Sequence, residues 1–116
     1  MREDVWHDGE RAAWKVYRTR GYRLVARNWR TAGGELDLVV ARHGVLVFVE
    51  VKARSSGRLG GPFEAVTASK QRRLRRLAEC FLAAEEPGEA RYRFDVVSVT
   101  VRGRGPPDVH LFEDAF

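Results

Sequence analysis

The feature that most restricts this chain is a two-residue turn, His43-Gly44, set between two runs with strand periodicity. Ahead of it stands Gly34-Glu35-Leu36-Asp37-Leu38-Val39-Val40-Ala41 and then Arg42. After it comes Val45-Leu46-Val47-Phe48-Val49-Glu50-Val51-Lys52. Successive strand side chains point to opposite faces. Leu36, Leu38 and Val40 are therefore expected on one face with Val47, Val49 and Val51, and Asp37, Glu50 and Lys52 on the other. A two-residue hairpin loop makes facing residue numbers sum to 87 here, which sets Asp37 against Glu50 and Glu35 against Lys52. Like charges directly opposite each other destabilise a sheet. A folded chain accommodates such a pair when something positive lies between, and a divalent cation is the natural candidate.

A length of 116 residues with 44% hydrophobic content suits one domain, residues 1–116, with one core. No run of about 18 apolar residues is present, so no membrane-spanning helix is expected. Met1-Arg2-Glu3-Asp4-Val5-Trp6-His7 has no apolar leader core, and a cytoplasmic protein is expected. The lone Cys80 excludes an internal disulfide and a cysteine-based metal site, and its place in a helix predicts core packing. Net charge is +5, and it is unevenly spread. Residues 53–76 hold seven cations against one acid, a local +6, whereas residues 77–116 hold four cations and eight acids. A concentrated basic segment is the electrostatic footprint of a polyanion, with nucleic acid the first candidate. A solvated arginine-rich helix face is the plainer alternative.

Residues 6–20 read as an amphipathic helix closed by Gly21, with Glu10 near the edge of the apolar stripe made by Ala13, Val16 and Tyr17. Residues 22–29 read as a strand and 31–34 as a turn. The hairpin follows, then a basic Gly/Ser-rich loop over 53–62. Residues 67–85 read as the main helix, capped by Thr67 or Ser69 and stopped at Glu86-Pro87-Gly88. Its apolar stripe is Leu74, Leu77, Ala78, Phe81 and Leu82. Residues 91–101 form a long strand, and 109–112 a short edge strand. The resulting order is α-β-β-β-α-β, with one further short strand. Asp95 is expected to serve the structure, and Trp6, Trp14 and Trp29 to pack, with stacking on bases the alternative.

Asp37 and Glu50 supply hard oxygen ligands, which suit Mg²⁺ or Mn²⁺ and not Zn²⁺. Such an ion polarises a phosphoryl oxygen and lowers the pKa of bound water. Lys52 would project beside the same spot, where an ammonium stabilises developing negative charge. Glu10 would add a further carboxylate from the first helix, and Glu35 is expected to pair with Lys52, metal binding being the alternative. Metal-dependent phosphodiester hydrolysis is the matching reaction class. A plain surface ion pair is the alternative for any isolated Glu-x-Lys. Arg54 and Arg58 in the loop are expected phosphate contacts, as are Lys70, Arg72, Arg73 and Arg76 on the basic helix.

The spacing Asp37…Glu50-Val51-Lys52 resembles the acidic-lysine signature of restriction-endonuclease-like nucleases. More closely, the chain resembles the YraN family of small bacterial proteins. The matching pieces are Gly9-Glu10-x-x-Ala13, Gly21-Tyr22, Arg27-Asn28-x-Arg30, Gly34-Glu35-Leu36-Asp37-Leu38-Val39, Val47-Phe48-Val49-Glu50-Val51-Lys52-x-Arg54, Lys70, Arg93-Phe94-Asp95-Val96-Val97 and Ala115-Phe116. Archaeal Holliday-junction resolvases are similar in layout. The resemblance implies a restriction-endonuclease-like α/β fold with a mixed central sheet flanked by helices. By motif match it makes Asp37, Glu50 and the Val51 carbonyl metal ligands, Lys52 the catalytic lysine and Glu10 the helix carboxylate. Leu36 stands where restriction enzymes carry proline, which the chemistry does not require. The expected function is a Mg²⁺- or Mn²⁺-dependent endonuclease on DNA, branched or otherwise structured DNA included. The alternative is a non-catalytic nucleic-acid-binding module on the same scaffold. A weak two-fold homodimer is expected, because it matches the symmetry of a duplex.

Overall fold

A computed structural model describes residues 7–55 and 66–116. The elements run α1 (Asp8–Thr19), β1 (Arg23–Thr31), β2 (Gly34–Arg42), β3 (Val45–Ser55), α2 (Ala68–Glu85), β4 (Arg91–Val101) and β5 (Asp108–Phe112). One five-stranded sheet has the order β1-β2-β3-β4-β5. All neighbours are antiparallel except β3 and β4, which are parallel and joined across α2. A parallel pair needs a long crossover, and α2 supplies it. The α/β class, the mixed sheet and the element order are those read from the sequence.

The β2–β3 hairpin forms at the expected register, with Leu38 facing Val49 and Val40 facing Val47. His43 and Gly44 both take positive φ, 52° and 77°, as a twist-matched two-residue turn requires. At the end of α1, Gly21 (φ 87°) donates to the Arg18 carbonyl, and Tyr22 donates to the Tyr17 carbonyl. These two bonds satisfy the last carbonyls of the helix. The Tyr17 and Tyr22 rings meet edge to face at 5.1 Å and seal that end. Thr67 is the cap of α2, its hydroxyl accepting from the Lys70 N–H. Glu86, in the left-handed region, ends that helix.

Both faces of the sheet are covered. Leu74, Leu77, Ala78 and Phe81 of α2 pack on Val39, Ala41, Leu46, Phe48, Phe94 and Val96. Ala13 and Tyr17 of α1 pack on Leu38, Val40, Val47, Val49, Val97 and Val99. Trp29 packs edge to face on Phe81 at 5.1 Å. Asp95 is fully buried and structural: it accepts from the Tyr17 hydroxyl at 2.7 Å, from Arg93 Nε at 2.9 Å and from the Asp114 N–H at 2.9 Å. Burial, and then the charge of Asp95, push the Tyr17 phenol far up, so it stays a donor. α1 is thereby tied to the middle of the sheet.

Four expectations need correction. Leu36 does not share a face with Leu38: it belongs to the α2-side core, while Leu38 and Val40 belong to the α1 side. The pleat breaks at Asp37 between them. Cys80 is exposed, because at 100° per residue it stands about 110° around the helix from the centre of the buried Leu74, Leu77, Ala78 and Phe81. Residues 53–55 continue β3 beside β4 instead of opening a loop. Glu35 pairs with Arg30 and not with Lys52, because β2 leaves β3 beyond Leu38 and stays beside β1, where Arg30 faces Glu35. The expectations on Trp6, Arg58 and the rest of the 53–62 loop lie outside the described residues.

Candidate metal centre in the β2–β3 seam

The site begins where the hairpin ladder stops. Its last paired residues are Leu38 and Val49, and Asp37 then inserts its side chain between the strands. Asp37 Oδ2 accepts the Val51 N–H at 2.9 Å, doing the work of a backbone carbonyl. The carboxylate is thereby held in the seam between the two faces, which corrects the expectation that it shares the Glu50 face directly opposite Glu50: the ladder ends at Leu38 and Val49, one residue short of that pair.

On the α1 side, two glutamates meet it. Glu10 is only 7% exposed although nothing positive is bonded to it in the described structure. It reaches the seam because Gly9 lets the first turn of α1 sit directly on β3. A Cβ on Gly9 would stand 2.9 Å from the Ala53 Cβ and 3.4 Å from Val51 Cγ1. Carboxylate oxygens of Glu10, Glu35 and Asp37 all lie within 4.8 Å of one another.

Asn28 completes this half of the site. It lies in β1 but has φ 49°, a left-handed backbone that strands do not use and that Asn tolerates better than most residues. Its Nδ2 donates to both oxygens of Glu10 at 3.0 Å and to Glu35 Oε2 at 2.8 Å. The amide holds two carboxylates together without adding charge. Sequence reasoning missed Asn28, whose one signal was its place in the matched Arg27-Asn28-x-Arg30 block.

Glu50, 9% exposed, lies on the opposite face under α2. Its Oε2 is 2.7 Å from Lys70 Nζ. Lys52, half-buried, shares that face by strand alternation, as Val51 and Ala53 face α1. Asp37 feels both groups. Burial first, then the charge of Glu50, and then those of Glu10 and Glu35 push its carboxyl up to about 7, while the Val51 N–H works in the other direction. That shift reflects the burial of the carboxyl first and the negative charge around it second.

Of the sequence-predicted residues, the structure thus gathers Glu10, Asp37 and Glu35 at one point, with Glu50 and Lys52 across the strand. The amide of Val51 engages Asp37. Lys70, expected on phosphate, is on Glu50. Arg72, Arg73 and Arg76 are exposed on α2, and Arg73 lies alongside the β1–β2 turn at Gly34. Arg54 is half-buried where β3 runs beside Thr100 of β4. The donor set of the seam is all carboxylate oxygen, closely spaced and under-compensated, and it fits a hard divalent cation such as Mg²⁺ or Mn²⁺.

Fold and site together define a small mixed-sheet α/β domain with an acidic cluster in an opened strand seam. Residues 9–99 match the uncharacterised protein family UPF0102. A UPF0102 protein of Symbiobacterium thermophilum is 47% identical over 116 residues, covering 100% of this chain and 98% of that one. One of Mycolicibacterium smegmatis is 48% identical, covering 89% of this chain and 86% of its own length. One of Caldicellulosiruptor saccharolyticus is 37% identical, covering 99% and 98%. The chain belongs to UPF0102, the family of the YraN proteins. No described helix is long and apolar enough to cross a membrane.

Proposed function

We propose that this protein is a Mg²⁺- or Mn²⁺-dependent nuclease of restriction-endonuclease-like fold that cleaves DNA phosphodiesters. The observation that carries the reading is Asp37, held between two strands by the Val51 N–H and crowded by Glu10, Glu35 and Glu50. Crowding of that kind destabilises the metal-free chain, and a cation that relieves it is the simplest reason to build it.

Asp37 would hold the cation from the seam, with Glu10 and Glu35 on one side and Glu50 on the other. The Val51 carbonyl is the backbone ligand that the family resemblance implies. When bound, the ion supplies Lewis acidity and a more acidic water. Asn28 keeps Glu10 and Glu35 oriented so that neither turns away. Lys52, on the Glu50 face, would meet the negative charge that develops on the phosphoryl oxygens. Arg72, Arg73 and Arg76 would hold the backbone of the nucleic acid by charge, without reading its sequence. A two-fold homodimer would set two such sites on the two strands of a duplex. Light scattering that finds only monomer across the micromolar range, with and without DNA, refutes the dimer.

The decisive experiment incubates wild type and Asp37→Ala with Mn²⁺ and duplex, single-stranded, flap and four-way DNA. Wild type should cut at least one substrate and the variant none. Equal behaviour of the two on every substrate defeats the nuclease reading. The Glu50–Lys70 pair favours a second reading, a non-catalytic nucleic-acid binder whose acids are internally neutralised. It requires steeply salt-dependent binding that survives Asp37→Ala and needs no metal.

A further inference from the structure

Lys70 is the third residue of α2, and Thr67 fixes its backbone through a 3.1 Å bond. Its ammonium stands at the end of a flexible four-carbon stem, 2.7 Å from Glu50 Oε2. Glu50 is 10% exposed at its side chain and Lys70 30%, so the carboxylate is enclosed while the lysine opens toward solvent. Across the seam, the bonds to Glu10 come from the neutral amide of Asn28, and Asp37 takes the neutral Val51 N–H. Among the described bonds, Lys70 therefore supplies positive charge to an acid centre that is otherwise held by neutral donors and by the more exposed Arg30 on Glu35.

We propose that Lys70 is a tethered counter-ion that occupies Glu50 until a divalent cation replaces it, and that the freed ammonium then contacts substrate phosphate. The inference rests on the proposed metal site and names a group in it that the motif does not. An ammonium at 2.7 Å and a divalent ion on the same carboxylate repel each other at a separation where Coulomb energies are large for a poorly hydrated site. The lysine stem can swing without disturbing the helix, because Thr67 secures the backbone and not the side chain. On leaving Glu50 it joins the exposed Arg72, Arg73 and Arg76 of the same helix. Nucleic-acid affinity then depends on Lys70 only when the ion is present, unlike the static contribution of the arginines.

Calorimetric Mn²⁺ titration of wild type, Lys70→Met, Glu50→Gln and the double variant tests the first half. Lys70→Met should bind Mn²⁺ about tenfold more tightly, and the gain should vanish in the Glu50→Gln background, as a thermodynamic cycle requires. Lys70→Arg, which preserves the charge and the fold and clamps a carboxylate more firmly, should weaken Mn²⁺ uptake severalfold. Anisotropy of labelled duplex DNA tests the second half, with Ca²⁺ replacing Mn²⁺ and again in chelator. Lys70→Met should weaken binding about threefold or more with the ion and not measurably without it, whereas Arg72→Met weakens both. Mn²⁺ affinity unchanged by Lys70→Met overturns the inference alone, as does equal loss of DNA binding in both conditions. Wild type that takes up no Mn²⁺ overturns the metal reading and this inference together. Wild type that binds no DNA removes the substrate half and the proposed function with it.

Discussion

Asp37→Asn should make the metal-free protein more stable at neutral pH, and by an amount that grows with pH. The carboxyl stands near 7 in the fold, against about 3.9 in an unfolded chain. The folded state thus holds the proton more firmly, and its stability falls as pH rises from about 4 to about 7 and levels off above. Three pH units correspond to roughly 4 kcal/mol. Asp37 keeps some solvent contact, and Lys70 screens Glu50, so about half of that, roughly 2 kcal/mol, is the expected gain at pH 8. For a chain of this size that is about 8 °C in melting temperature. Asn presents the same carbonyl oxygen to the Val51 N–H, so the seam stays closed. Thermal denaturation in chelator at half-unit steps from pH 4 to pH 8.5 should show the two proteins diverging with pH. Addition of Mn²⁺ should raise wild type and leave the variant in place. An Asn variant that is equal to or less stable than wild type at pH 8 refutes the crowding argument.

Gly9→Ala should lift the first turn of α1 from β3, because the new methyl falls 2.9 Å from the Ala53 Cβ; about 1–3 kcal/mol of stability and most Mn²⁺ affinity should be lost, by melting and calorimetry. Asn28→Ala should cost about 1–3 kcal/mol from the left-handed backbone, whereas Asn28→Gly should recover that stability and still bind Mn²⁺ weakly, because the amide bridge is gone. Exchanging Arg72, Arg73 and Arg76 for glutamine should lower DNA affinity and flatten its logarithmic salt dependence by up to about three units, read by anisotropy from 50 to 200 mM salt.

What the chain disclosed in advance follows from short-range rules. His43-Gly44 and the period of two fixed the hairpin register, and Gly21 and Thr67 marked helix ends, because each acts through its own backbone. The errors cluster at Asp37 and Asn28, where the pattern is deliberately broken. Alternation assumes an intact pleat, so Leu36 was sent to the wrong face and Glu35 to the wrong partner. Nothing in the letters around Asn28 announces a left-handed residue inside a strand. There its amide bonds both Glu10, from a helix earlier in the chain, and Glu35, contacts that lie outside its own strand. Lys70 reads as a phosphate contact for the same reason: its neighbour in sequence is a basic run, and its neighbour in space is Glu50.

The bond from Tyr17 to Asp95 has a consequence for biosynthesis. The hairpin bearing Asp37 and Glu50 leaves the ribosome well before β4, whose buried carboxylate anchors the first helix. A nascent chain, or one clipped after α2, lacks that anchor, and Glu10 is then held over the seam by Asn28 and by the packing of α1 on β2 and β3 without the tie to β4. The acidic cluster is encoded wholly before residue 56, and the last third of the polypeptide adds the buried carboxylate that fixes the helix carrying Glu10.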